Sequence, residues 1–245
     1  MIGSPAEVHL WWYSLDVSAS ALKDAYAVLS DDEVDRARRY RFARDRRRFV
    51  AARSFVRRTL AEYLSMRPRE VAFVYGPFGK PAFSSREPGE TVQFNLSHSG
   101  EGALLAVTRG LTVGVDVEQV VHVPEWRGIA SHVFSAYENA ALSGIEAGSR
   151  DAAFYRCWTR KEAFLKALGN GLTLPLDSFD VSLDERYPEL IAVRDEAAAL
   201  AAWTLYHLCP AEGYVAALAV EGTDAQLVWR HPATTEAEML AMGRF

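Results

Sequence analysis

The sequence predicts an α+β fold built from two similar halves with a cleft between them. Two long segments, Asp45 to Met66 and Asp151 to Leu168, keep apolar residues at helical spacing. Around them run period-two stretches bounded by Gly, Pro and Ser, the pattern of strands and hairpins. The third observation is an internal echo. FNLSHSGEGALLAV (94–107) and LYHLCPAEGYVAALAV (205–220) share a strand, a turn holding Glu-Gly and a strand ending Ala-Val, and a long helix precedes each at some distance. The halves join near Arg109 to Thr112, giving residues 1–110 and 111–245.

Glu7 to Ser14 alternates, with Val8, Leu10 and Trp12 on one side, and reads as a first strand. A helix follows it. Ser30 then offers an N-cap with Asp31, Asp32 and Glu33 in the first turn of a helix to about Phe42. Asp45 caps the next helix, whose Phe49, Ala52, Val56, Leu60 and Tyr63 repeat at helical spacing. VAFVY (71–75), VQFNLSHSG (92–100), ALLAVT (103–108) and TVGVDVE (112–118) read as strands. Pro124 to Ser131 and Ala136 to Ala147 read as helices before the long one, which Gly169-Asn170-Gly171 closes as a C-cap. Strands near 178–183, 189–194, 201–208, 214–220 and 226–230 and a short helical tail complete the chain.

With 245 residues, 49% of them apolar, the chain is long enough to bury a real core. Its net charge of −5 argues against a general nucleic-acid binder. Cys157 and Cys209 show no metal-like spacing and no disulfide framework, which fits a reducing compartment. The N-terminus lacks a basic region followed by an unbroken apolar one, and the longest weakly polar run, Ala197 to Leu205, is too short to span a bilayer. The expectation is a cytoplasmic protein.

The most informative stretch is WTRKEAFLK (158–166). Phe154, Trp158, Leu165 and Leu168 form one apolar helical stripe, and Glu162 and Lys166, four apart, emerge together beside it. Lys161 falls within the stripe with no acid one turn away, so its counter-ion must come from elsewhere, such as a phosphate. The chain has only four lysines against twenty-three arginines, and three of the lysines, Lys80, Lys161 and Lys166, sit in suspicious places. On the strand GVDVE, Asp116 and Glu118 leave from one face while Val115 and Val117 face the other way. With Glu162 they make three carboxylates, a set that suits Mg²⁺ together with waters and a substrate phosphate. Ser97, His98 and their turn can cradle a phosphate. Eleven arginines crowd residues 36–58. Arg48 lies beside the apolar stripe as the better phosphate ligand, whereas Arg46, Arg47 and Arg57 point to solvent. Together this is equipment for phosphoryl transfer from a polyphosphorylated donor.

GKP (79–81), FNLSHS (94–99), GVDVE (114–118) and WTRKEAFLKALGNGL (158–172), in this order and spacing, resemble the Sfp-type 4′-phosphopantetheinyl transferases over nearly the whole chain. The resemblance implies a monomeric pseudo-dimer that holds coenzyme A and Mg²⁺, with Mn²⁺ as the alternative ion, between its halves. It implies transfer of phosphopantetheine from coenzyme A to a serine of an acyl or peptidyl carrier protein, with release of 3′,5′-ADP. Carried over by motif, Asp116, Glu118 and Glu162 hold the metal. Glu162 is the base for the carrier serine, and Lys166 stabilises the transferring phosphate or protonates the leaving group. Lys80 with Pro81, Ser97, His98, Lys161 and Lys166 contact coenzyme A phosphates, Arg48 meets the 3′-phosphate, and Arg53 adds a weaker contact. One departure is Glu33, where some relatives carry a basic residue near the adenine end, with Arg36 or Arg38 as substitutes. Two competing readings share these residues. One is a Mg²⁺-dependent phosphoesterase or nuclease using the arginine tract, and the other is a coenzyme A binder without catalysis.

Overall fold

The computed structural model describes residues 6–76, 79–83, 92–169, 174–194, 202–222 and 225–231. The Asn170-Gly171 part of the C-cap and the tail helix expected after 231 lie outside the described residues. The first strand, β1, runs Glu7–Ser14. It is followed by α1 (Ala19–Tyr26), α2 (Asp31–Arg38), α3 (Ala43–Leu64), β2 (Phe73–Tyr75), β3 (Pro81–Phe83), β4 (Val92–Ser99) and β5 (Gly102–Arg109). The chain then forms β6 (Val113–Gln119), α4 (Trp126–Val133), α5 (Ala136–Ser143), α6 (Ala147–Leu168), β7 (Phe179–Val181), β8 (Leu190–Val193), β9 (Trp203–Leu208), β10 (Tyr214–Glu221) and β11 (Gln226–Arg230).

The echo in the sequence is a structural repeat. Each half runs strand, two short helices, a helix of 22 residues, a small hairpin and a long hairpin. In the first half β1 pairs with β5 and β5 with β4; in the second β6 pairs with β10 and β10 with β9, all antiparallel. The exception is β11. This strand, the last among the described residues, leaves the second half and pairs in parallel with β1, Glu7 opposite Gln226 and Leu10 opposite Trp229, so the first sheet has the order β11-β1-β5-β4.

Helix boundaries follow capping chemistry more closely than periodicity. Ser30 and Glu33 form the capping box of α2. That helix stops at Arg38, short of Phe42, and Phe42 takes the N-cap position of α3 without a side-chain bond, while Asp45 sits in the first turn, where a negative charge complements the helix dipole. The long helix α6 begins at Ala147, four residues before Asp151. It ends at Gly169 with φ of 70°, a left-handed conformation that glycine adopts without strain.

The main core lies between α6 and the second sheet, where Phe154, Phe164, Leu165, Phe179 and Leu205 pack together. Trp158 and Leu168, expected on the same stripe, are partly buried against it. A second core of Val8, Leu10, Val113, Val115, Val117 and Leu218 joins the two sheets back to back. This is why Val115 and Val117 are buried on one side while Asp116 and Glu118, which alternate with them, face the other.

Arg57 is not solvated as its helical position implied; it is 2% exposed. The second face of α3 is covered by α2 and by the chain at 68–71, so Arg57 donates to Glu33 Oε2 at 2.6 Å and to the carbonyls of Pro68 and Val71. Arg53 holds Glu33 Oε1 at 2.7 Å. Glu33, the departure from the family pattern, is therefore a buried keystone between two arginines. Burial works against its charge, but the two guanidiniums win and hold its carboxyl below the usual range.

Candidate active site

The two sheets meet along β4 and β6, and there side chains replace a backbone ladder. Asn95 Oδ1 accepts from Val115 N at 2.8 Å, Ser97 Oγ donates to Asp116 Oδ1 at 2.8 Å, and Ser99 Oγ donates to Glu118 Oε2 at 2.5 Å. Residues 95, 97 and 99 alternate on one face of β4, which is the physical content of FNLSHS. Ser99 was not singled out from sequence. The signal was available, because Ser97 and Ser99 repeat the two-residue step of Asp116 and Glu118.

Helix α6 brings the remaining groups. Lys166 Nζ lies 2.5 Å from Asp116 Oδ1 and donates to Ser97 Oγ at 3.1 Å. Burial raises the Asp116 carboxyl above its ordinary value, against the pull of Lys166 and Ser97. Burial likewise raises Glu118, with Ser99 pulling down and Asp116 adding to the rise. Glu162 is raised first by burial and further by both acids, with Lys166 opposing. Trp158 also pulls the Glu118 carboxyl down slightly, a role its helical stripe did not reveal.

Close contact between α6 and β6 sets this geometry, and Gly114 permits it. A Cβ at Gly114 would stand 2.2 Å from both Ala163 O and Ala167 N, which are helix backbone and have no room to yield. Gly114→Ala is expected to push α6 off β6, costing about 1–3 kcal/mol of stability. It should lower activity more than that loss alone explains, read as kcat at a temperature where the variant is fully folded. Wild-type kcat would show that the spacing is not critical.

Asp116 is 3% exposed. Its Oδ1 is occupied by Ser97 and Lys166, but Oδ2 is buried with no hydrogen-bond partner among the described residues. A bare buried carboxylate oxygen costs on the order of 1–3 kcal/mol. With two more strained acids beside it, the position fits a cation.

On the first-half side, a pocket of about 520 Å³ reaches Ser99, the hydrogen-bond partner of Glu118. Arg36, Arg48, Arg53 and His98 line it, with Tyr40 and Tyr75 among its aromatic walls. Arg48 Nη2 reaches Glu101 at 3.1 Å, and Arg53 is committed to Glu33 with its guanidinium over Phe73. Partial enclosure by the pocket and then Lys166 hold the accessible His98 imidazole below its ordinary value, so it is neutral at pH 7. Pro81 also lines this pocket. Lys80 turns toward the end of α6, donating to Val113 O and Ala167 O, and burial lowers its ammonium to about 8. An ammonium has three donors, so one remains for an anion.

Lys161 does not belong to this group. It is fully buried on the other side of α6, paired with Glu138 at 2.8 Å, donating to Leu176 O and Phe179 O, and lying over the Phe179 ring. The counter-ion that the sequence demanded is an acid 23 positions upstream on α5, not a phosphate.

An acid-rich joint flanked by a basic, aromatic pocket is equipment for handling a polyphosphorylated ligand. Residues 112–219 match the 4′-phosphopantetheinyl transferase superfamily, and residues 14–109 match the 4′-phosphopantetheinyl transferase N-terminal family. The chain is 37% identical over 216 residues to the 4′-phosphopantetheinyl transferase HetI of Nostoc sp., covering 88% of each chain. It is 34% identical over 177 residues to 4′-phosphopantetheinyl transferase AcpT of Salmonella typhimurium, covering 72% of this chain and 79% of that one. Thermotoga maritima holo-[acyl-carrier-protein] synthase overlaps 46% of this chain and 63% of its own, at a TM-score of 0.36 and 23% identity. The chain belongs to the 4′-phosphopantetheinyl transferase superfamily, and it is an enzyme of that type.

Proposed function

We propose that this enzyme moves the 4′-phosphopantetheine arm of coenzyme A onto a serine of an acyl or peptidyl carrier protein, releasing 3′,5′-ADP and converting the apo carrier to its holo form. The observation that carries this reading is the convergence of Asp116, Glu118, Glu162, Lys166 and Ser97 at the joint beside the arginine-lined pocket. Coenzyme A lies along that pocket, its phosphates met by Arg48, Lys80, Ser97, His98 and Lys166. Its nucleotide end lies toward Arg36, which replaces the basic residue lost at position 33. Arg38 does not take that place, since it pairs with exposed Asp35.

The all-oxygen set of Asp116, Glu118 and Glu162, with the bare Oδ2 of Asp116, fits Mg²⁺. Such an ion offsets the charge that builds on the transferring phosphoryl oxygens. The protein's own groups do the rest. Glu162, on the helix face it shares with Lys166, takes the proton from the carrier serine as that oxygen bonds to the phosphorus bearing the pantetheine arm. The phosphorus–oxygen bond to 3′,5′-ADP breaks, and Lys166 meets the charge left on the departing oxygen. Among the described residues no helix is long and apolar enough to cross a membrane. A cytoplasmic monomer that engages no nucleic acid completes the reading.

Intact mass spectrometry of an apo carrier protein, incubated with the enzyme, coenzyme A and Mg²⁺, tests this directly. The expected result is a mass gain of one phosphopantetheine arm that EDTA abolishes. No gain on either acyl or peptidyl carriers, with coenzyme A still bound, would leave a binding protein.

A further inference from the structure

We propose that Glu185, His207 and Cys209 form a second metal site, apart from the cleft acids, that takes Zn²⁺ through one oxygen, one nitrogen and one sulfur. One ligand atom from each of the three residues lies within 4.8 Å of the other two. Cys209 Sγ is 3.4 Å from His207 Nε2, and the same nitrogen is 4.0 Å from Glu185 Oε1. A tetrahedral zinc, with bonds near 2.3 Å to sulfur and 2.0 Å to nitrogen, holds those two atoms about 3.5 Å apart.

The surroundings aim these groups at one another. His207 lies near the end of edge strand β9 and Cys209 just past it, and their 3.4 Å contact puts both on one side while Leu208 between them is buried. His207 Nδ1 is buried with no partner among the described residues, which leaves Nε2 as the ring's outlet toward Cys209 and Glu185. Glu185 sits on a pinned loop. Asp184 Oδ1 accepts from Arg186 N and Tyr187 N, while Arg160 Nη2 donates to Asp184 O and Arg156 Nε to Leu183 O. A held backbone therefore presents Glu185 to the edge strand, and a small turn of its exposed side chain brings Oε1 from 4.0 Å to the roughly 3.3 Å from Nε2 that a shared zinc requires.

The donor set selects the ion. Thiolate and imidazole prefer Zn²⁺, whereas the all-oxygen cleft suits a hard cation. A thiolate and a carboxylate balance the two charges of zinc. Arg156 approaches Glu185 only at Oε2, 3.9 Å away, leaving Oε1 for the metal. Glu185 and Cys209 are exposed and His207 is half-buried, so an ion can enter and a water can fill the fourth position.

The test uses the full chain carrying Asp116→Ala, so that the cleft acids do not dominate metal uptake. After chelator treatment and equilibration with Zn²⁺, bound metal per chain is measured by elemental mass spectrometry. One zinc per chain is expected, with affinity falling at least about tenfold on adding Cys209→Ser or His207→Ala. Two further readouts should agree. Zn²⁺ should raise the melting temperature of the parent but not of either variant. Co²⁺ should give a thiolate charge-transfer band that Cys209→Ser removes. Since Glu185 is exposed, Glu185→Gln serves as a third variant if either of the others fails to fold. No zinc on the parent, or equal zinc on parent and variants, overturns the assignment.

Discussion

Asp116→Ala is expected to reduce carrier modification by about a hundred- to a thousandfold, the range seen when one preorganised stabilising group of a transition state is deleted. Asp116 touches Ser97 and Lys166 and faces the other two acids, so its loss frees Lys166 and removes one of the three oxygen ligands proposed for the ion. The fold should survive. The raised carboxyl of Asp116 means that the folded state disfavours its charge. A group of this kind contributes stability below its unfolded pKa and loses it as the pH rises through the folded one. Metal-free Asp116→Asn should therefore be as stable as wild type or more so at pH 7, with the difference vanishing toward acid pH. Thermal melts across pH in EDTA, beside the mass assay, would check both halves. A fully active Asp116→Ala enzyme would sink the metal assignment.

The largest loss of stability is expected from Glu138→Ala. Its carboxylate is fully buried and saturated, with Ser135 N at 2.8 Å on Oε2 and both Val181 N and Lys161 Nζ at 2.8 Å on Oε1. Alanine would strand an ammonium in the core, and breaking a buried pair from one side costs about 3–5 kcal/mol. The double variant Glu138→Leu with Lys161→Met should recover much of that, because two apolar groups replace two desolvated charges. Urea unfolding of the three proteins measures it, and a loss below about 1 kcal/mol for Glu138→Ala would show that the pair is idle. Coenzyme A affinity of the folded double variant should match wild type, since Lys161 lies outside the cleft.

These two residues also show what sequence could and could not reveal. Periodicity found the long helices and nearly every strand, and the echo between residues 94–107 and 205–220 revealed the repeat, because each half must bury its sheet against its own helix. That Asp116 shares a face with Glu118, and Glu162 with Lys166, was legible because two-residue and four-residue steps fix which side chains leave together. Partnerships across the fold left no such trace. Nothing local tells Lys161 that Glu138 waits on another helix, or Arg57 that α2 will deliver Glu33. Glycine at 114 looked like part of a strand motif, yet its lack of a side chain sets the depth at which α6 docks. The crossing of β11 into the opposite sheet was equally silent, since an alternating strand does not announce its neighbour.

That crossing has a consequence for the order in which the molecule can assemble. During synthesis β1 emerges long before β11, and Glu7 must wait for Gln226 before its outer edge is covered. A ribosome can finish the whole first half and still expose an unpaired strand edge, the feature most prone to mispairing between nascent chains. Cutting the gene at 110 would make that exposure permanent. The two halves repeat one plan, but a strand of the second closes the open edge of the first.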